Sequence, residues 1–321
     1  LDEDNKAKIA MFCNVEKQNV VAFRDVDHTI YECPLDLRRD KLDRLVSDKL
    51  GLESATPDLE KWRLFVDRII NPTYETNIAV VGKYIELQDA YKSIYESLTF
   101  AGAQHDTRVN VHRIDAEKIA EEGPAVILKD MDGILIPGGF GDRGTEGKII
   151  ATQFARQNDI PFFGICLGMQ IATIEFSRNV CGLENANSTE FDKETAHPVI
   201  SLQEEQKGLT TMGGNMRLGA SESTVFKGTK AYELYGSETI TERHRHRYEF
   251  NPAYREQLEE AGLKISAVSV PDGLVEIVEI ADHPFFIGTQ FHPEFLSKPS
   301  KPHPIFAGFV KAALSNTQSK A

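Results

Sequence analysis

The stretch that most constrains this chain is Phe162-Phe163-Gly164-Ile165-Cys166-Leu167-Gly168-Met169-Gln170. The apolar run from Pro161 to Ile165 reads as a short buried strand. Gly-x-Cys-x-Gly follows, and Met169 to Arg178 suits a helix. On so tight a strand-to-helix turn bulky neighbours clash, so small residues flank the central side chain on both sides. The helix that follows aims its free N–H groups and positive dipole end at the sulfur, which favours the thiolate. Free cysteines are also among the most buried residues, so by itself the stretch equally fits a structural cysteine before a glycine turn.

The surrounding pattern decides what kind of sheet the turn belongs to. Ile78–Gly82, Val109–Ile114 and Gly133–Pro137 read as strands. Ala90–Phe100, Ala116–Glu122 and Glu146–Gln157 read as helices between them. Such alternation implies a parallel sheet covered on both faces, with ligands at the carboxyl ends of the strands. Both glycine-rich turns, Gly138-Gly139-Phe140-Gly141 and the cysteine turn, fall at such ends. Beyond Cys181 the alternation fades. Glu184–Glu190 reads as a polar loop and residues 204–215 as a mobile excursion. Strands return at Lys264–Val270, Leu274–Ile280 and Phe285–Phe291, with a terminal helix over Pro304–Leu314 and a frayed tail.

Residues 1–70 read differently. Ile9–Cys13 and Val20–Phe23 suggest short strands, Leu35–Leu50 carries a helical stripe, and a second helical stretch opens at Pro57 and holds Trp62. These elements would leave apolar faces uncovered, so the segment is expected to dock onto something else. The opening at Leu1 reads as the start of a piece. Asn71-Pro72-Thr73 separates this segment from the rest.

Composition narrows the function classes. Net charge is −13, which argues against a sequence-independent nucleic-acid surface and against a basic membrane patch. No apolar run is long enough for a membrane helix. Cys13, Cys33, Cys166 and Cys181 lack metal-ligand spacing and read as free thiols of a reducing cytoplasm. Gly144-Thr145-Glu146-Gly147-Lys148-Ile149 has neither the spacing nor the hydroxyl of a phosphate-binding loop. Gly139 is a candidate oxyanion donor beside the N–H of Leu167. In Gln290-Phe291-His292-Pro293-Glu294-Phe295, His292 suits a base for a thiol, and Glu294 would orient it if the chain stays extended.

Gly-Ile-Cys-Leu-Gly-Met-Gln, Pro-Gly-Gly-Phe-Gly and Phe-His-Pro-Glu-Phe together resemble a class I (triad) glutamine amidotransferase. Three further stretches, Glu184–Phe191, Met216–Ala220 and Arg243–Glu249, resemble the CTP synthase family in particular, as does Val81–Ser93. The likeness runs from about Lys8 to Leu314. It implies a mostly parallel α/β sheet flanked by helices, amidotransferase-like over residues 71–321. Residues 1–70 would be the tail of an adjoining α/β amidoligase domain and a linker.

By this resemblance Cys166 attacks the amide of L-glutamine, His292 is acid and base, and Glu294 orients it. Glutamine contacts fall on Gly139, Leu167, Gly168, Met169, Gln170, Glu190 and Arg247, with Arg247 suited to the α-carboxylate and Glu190 to the α-ammonium. Lys8 falls where the family contacts the pyrimidine nucleotide, and Arg24, Asp25 and Val26 near the ATP adenine, each as half-sites. The glutaminase step needs no cofactor or metal. The whole enzyme would use Mg-ATP and UTP, make CTP and respond to GTP. The family is homotetrameric through its amidoligase half, so this piece alone is expected to be monomeric. Asn215 departs from the family's Gly-Gly-Thr-Met-Arg-Leu-Gly. Other readings that share parts of the pattern are a free-standing γ-glutamyl hydrolase, the glutaminase of another amidotransferase, an elbow-cysteine redox sensor, and a catalytically silent regulatory or assembly module.

Overall fold

A computed structural model describes residues 1–53, 56–83, 85, 87–202 and 216–320. The expected excursion over 204–215, Asn215 included, lies outside the described residues. The chain separates into two compact units, 1–72 and 73–321.

The first unit is helical. Helices α1 (Glu3–Cys13), α2 (Cys33–Arg39), α3 (Leu42–Leu50) and α4 (Glu60–Ile70) are joined by short 3-10 turns and loops. The strand expected at Ile9–Cys13 is the last part of α1. Asp2 caps that helix by accepting the Asn5 N–H at 2.7 Å, and Glu3 and Asp4 fill its first turn. A short apolar run does not separate strand from helix, and here the cap upstream decides. Val20–Phe23 is irregular. The stripe over Leu35–Leu50 divides into α2 and α3 because Lys41 takes a left-handed conformation at φ 60°. Trp62 donates its indole N–H to the Tyr31 carbonyl at 2.8 Å, and its ring packs with Tyr31 and Phe65.

The second unit is built on a sheet. In chain order its elements are β1 (Tyr74–Gly82), α5 (Lys92–Gln104), β2 (Thr107–Asp115), α6 (Ala116–Glu122), α7 (Pro124–Ile127), β3 (Gly133–Ile136), α8 (Thr145–Gln157), β4 (Phe162–Ile165) and α9 (Leu167–Asn179). There follow β5 (Asn187–Ser188), β6 (Pro198–Ser201), β7 (Arg217–Val225), α10 (Lys230–Tyr235), β8 (Thr239–His246) and β9 (Glu249–Phe250). The chain ends with α11 (Arg255–Glu260), β10 (Leu263–Ser269), β11 (Val275–Ile280), β12 (Phe286–Thr289) and α12 (Pro304–Lys320).

Among the described residues nine strands form one mixed sheet in the order β2-β1-β3-β4-β12-β11-β10-β7-β8. The first five are mutually parallel, as the alternation required. From β12 onward every pairing is antiparallel. The expected α/β sheet is therefore present and is extended by an antiparallel half, of which β7 and β8 carry no simple strand signal in the sequence.

Strand alternation sorts the parallel half's side chains onto two faces. Ile78, Val80, Leu135, Phe163, Ile165 and Ile287 pack with α5 and α12. Ala79, Val81, Ile134, Ile136, Phe162 and Phe286 pack with α6, α8 and α9. Burial on both faces is why these strands read as continuous apolar runs.

The terminal helix corrects one expectation. It does not stop at Leu314 but runs to Lys320. Its last turns are tied to the sheet: Asn316 donates to the Asp132 carbonyl, and Lys320 Nζ donates to Met131 O and pairs with Asp132, each at 3.0–3.1 Å. Polar residues in a last helical turn look frayed in sequence, and a buried carboxylate next to them reverses that.

Candidate active site

Three neighbouring parallel strands deliver the three sequence features to one place. Pro137-Gly138-Gly139 follows β3, Cys166 follows β4, and Gln290–Glu294 follows β12. All three lie at carboxyl ends, where open α/β sheets bind ligands.

Cys166 has φ 52° and ψ −100°, a conformation that non-glycine residues rarely adopt. The turn is held by its own backbone. Cys166 N–H donates to the Thr289 carbonyl at 2.6 Å, and its carbonyl accepts from Met169 and Gln170. The flanking glycines are needed for closeness. A Cβ on Gly164 would lie 2.5 Å from the Gly168 carbonyl group, and a Cβ on Gly168 would overlap the Ile136 carbonyl oxygen. The spacing read in the sequence thus reflects α9 pressed against β3 and β4.

His292 and Glu294 form the second part. The His292 Nδ1 sits 2.7 Å from Glu294 Oε1. The backbone N–H of His292 donates to the Arg243 carbonyl at 2.8 Å, and its ring stacks on Phe295. The segment is not extended, as the sequence reading supposed. Pro293–Phe295 makes a 3-10 turn, and proline at its first position starts that turn. The contact survives because a 3-10 turn brings the carboxylate back beneath the ring.

Burial by itself would discharge the imidazole. The neighbouring Cys166 sulfur and then Glu294 outweigh it, and the His292 pKa is pushed up to about 10. The ring is therefore held as an imidazolium between Cys166 and Glu294.

Cys166, His292 and Glu294 open on a cavity of about 350 Å³, together with Gly138, Gly139, Arg245 and the Asp89–Ile94 segment. Of the expected glutamine contacts, Gly139 is on this wall. Leu167, Gly168, Met169 and Gln170 are buried in the first turn of α9, where the Met169 and Gln170 N–H groups are taken up by the Cys166 carbonyl. Glu190 accepts the Gly141 N–H at 2.8 Å and so fastens the glycine loop, which Lys83 also holds through the Phe140 carbonyl. Arg247 is half-buried just beyond β8.

The residues expected at nucleotide half-sites belong to the first unit. Lys8 is exposed on α1, Arg24 lies 3.9 Å from Asp40, and Asp25 and Val26 are in the loop before α2. Of the cavity-facing residues, the sequence reading overlooked Tyr91 and Arg245. Arg245 was legible as part of a basic run, but only strand β8 shows that alternate members turn to opposite faces. Among the described residues no group of three or more His, Cys, Asp or Glu could hold a metal, and no helix is long and apolar enough to cross a membrane.

Comparison with known proteins agrees with this geometry. The family described as glutamine amidotransferase class-I matches residues 86–312, and the family described as CTP synthase N-terminus matches residues 1–52. A CTP synthase of Methanocaldococcus jannaschii is 55% identical over 96% of this chain, and one of Caldanaerobacter subterraneus is 53% identical over 98%. In both cases the chain spans 58% of the relative's length. The solved glutaminase domain of the Trypanosoma brucei enzyme, with bound acivicin, superposes with a TM-score of 0.70 at 43% identity. That match covers 75% of this chain and 94% of the other. The chain belongs to the class I glutamine amidotransferases and, within them, to the CTP synthase family.

Proposed function

We propose that the second unit hydrolyses L-glutamine to glutamate and ammonia, and that in a longer protein the ammonia aminates UTP to CTP at the expense of Mg-ATP. The observation that carries the reading is the strained Cys166 beside an imidazolium held 2.7 Å from Glu294, at the mouth of a small cavity.

The chemistry follows from the charges. The Cys166 thiolate adds to the amide carbon, and the electron pair of the C=O bond moves to oxygen. The N–H groups of Leu167 and Gly139 stabilise that oxyanion. His292, already protonated, gives its proton to the departing nitrogen, and ammonia leaves a glutamyl thioester on Cys166. Neutral His292 then takes a proton from water, which attacks the thioester. The C–S bond breaks and glutamate and the thiolate are released. Arg247 and Glu190 suit the two charged ends of the substrate. Residues 1–70 act as the end of an amidoligase domain, with Lys8 toward a pyrimidine nucleotide and Arg24, Asp25 and Val26 toward the adenine of ATP. GTP activation, assembly into a tetramer and a cytoplasmic location belong to that longer protein.

The test is glutamate release from glutamine, with a glutamine-analogue electrophile followed by peptide mass spectrometry. Label on Cys166 is expected. A folded protein that neither releases glutamate nor takes label would favour a silent regulatory module.

A further inference from the structure

Outside the triad, one buried side chain reaches the nucleophile. Gln290 follows β12 and has no exposed surface. Its backbone N–H donates to the Glu276 carbonyl at 2.9 Å. Its side-chain amide bridges two groups: Nε2 lies 3.7 Å from Cys166 Sγ, and Oε1 accepts from Gln170 Nε2 at 3.3 Å.

The orientation of this amide follows from its neighbours. The Tyr248 carbonyl can only accept, so Gln170 turns its NH2 group to it, at 3.1 Å. The second hydrogen of the same NH2 group points to Gln290, which must therefore present its oxygen there and its N–H to the sulfur. The Tyr248 carbonyl is itself fixed. His246 Nδ1 approaches it at 3.2 Å, and His246 Nε2 is 3.0 Å from His244 Nδ1. Both rings are neutral, chiefly because they are buried and then because of Arg217, with pKa values lowered to about 3 and about 2. A neutral ring carries one N–H. His246 donates from Nδ1, so it accepts at Nε2, and His244 donates from its own Nδ1.

We propose that Gln290 is a hydrogen-bond donor to the Cys166 sulfur, and that Gln170 is the positioning residue that keeps its amide turned that way. The inference rests on the reading of Cys166 as the nucleophile of glutamine hydrolysis. In the first step negative charge leaves the sulfur for the carbonyl oxygen. In the second the C–S bond breaks, the electron pair returns to sulfur, and the Gln290 N–H is there to receive it. The donor thus raises the thiolate fraction of the free enzyme and improves the leaving group of deacylation.

The experiment is the pH dependence of Cys166 alkylation by iodoacetamide, mapped by mass spectrometry, in the whole chain and in Gln290→Met, which keeps the length and loses the N–H. The charged groups around the cavity, Asp89, Arg245, His292 and Glu294, are the same in both proteins. The alkylation midpoint should rise by about one pH unit, the tenfold equivalent of one charge-assisted hydrogen bond. Turnover should fall about tenfold with KM nearly constant and glutamyl thioester accumulating. An unchanged midpoint in a variant that melts like the parent would overturn the assignment. If Gln290→Met does not fold, Gln170→Met, which frees the Gln290 amide to turn over, should move the midpoint the same way by a smaller amount. No movement there overturns it as well. A shifted midpoint in a protein whose parent releases no glutamate would reject the glutaminase reading and keep Gln290 as donor to the sulfur.

Discussion

The two halves of the nine-stranded sheet differ in the polar groups they bury beside their apolar side chains. In the parallel half, β1, β3, β4 and β12 bury apolar side chains on both faces. In the antiparallel half, one face of β8 buries Glu242, His244 and His246, and β11 adds Glu276 and Glu279. Arg217 of β7 lies 2.5 Å from Glu276 and 3.9 Å from Glu249. Burial, and then the Glu249–Glu276 repulsion, pushes Glu249 up to about 8. Burial raises Glu276 to about 7 against the pull of Arg217. The parallel half places Cys166, His292 and Glu294 on a largely apolar frame. The antiparallel half supplies a titratable polar wall behind them.

The largest expected effect sharpens the assignment of chemistry to the parallel half. Cys166→Ala and His292→Ala should each lower glutamate release by about 10³-fold or more, since residues that act as a unit fail together. Residual activity within tenfold of the parent would place the reaction elsewhere.

Next come two core substitutions that should part company with pH. Arg217→Met leaves two buried carboxyls facing each other, and breaking such a pair costs about 3–5 kcal/mol when they are charged. The loss should be largest above about pH 8 and shrink toward pH 5, where both carboxyls are protonated. Leu135→Ala, in the apolar half, should cost about 2–5 kcal/mol at any pH in that range. Thermal unfolding of the two variants across pH decides this, and parallel curves would erase the distinction between the halves.

The parent's own pH profile is a smaller effect. Glu249 and Glu276 are raised above the ordinary carboxylate value of 4.5, so their contribution is full below it and is lost as pH rises through about 7 and about 8. His244 and His246 are lowered from 6.5, so theirs is present above that value and lost on acidification. Stability should therefore peak in mildly acidic buffer, at about pH 5–6. A monotonic rise from pH 5 to 9 would contradict the buried wall.

Glu294→Gln should move the alkaline limb of turnover down from near the His292 value of about 10, because Glu294 is among the groups that raise it. At the far end of the scale, Lys8→Ala should leave glutamate release within twofold of the parent, as expected of a surface change. A loss as deep as that of Cys166→Ala would dissolve the division into two functional units.

The Cys166 turn was legible because it requires small residues at two fixed places, and a requirement imposed by backbone contact leaves a mark in sequence. Gln290 was printed inside the same motif as His292 yet carried no sign of its partner, since Cys166 is 124 residues away and only strand order brings them together. The strand reading of Ile9–Cys13 failed for the opposite reason: five apolar residues have no period of their own. The Arg-His-Arg-His-Arg run looked uniformly basic, whereas β8 divides it, exposing Arg243 and Arg245 and burying His244 and His246.

By itself the sequence determined the elbow, the parallel alternation around it and the three residues, Cys166, His292 and Glu294, that line one cavity. Each depends on local rules: steric room at a turn, the period of burial along a strand, the pairing chemistry of thiol, imidazole and carboxylate. The tertiary structure alone decided that β12 lies beside β4, that the sheet turns antiparallel beyond it, and that histidines and carboxyls are buried together behind the site. Those outcomes depend on which strands lie side by side and how deeply each group is removed from water, and neither is written in any short stretch of chain.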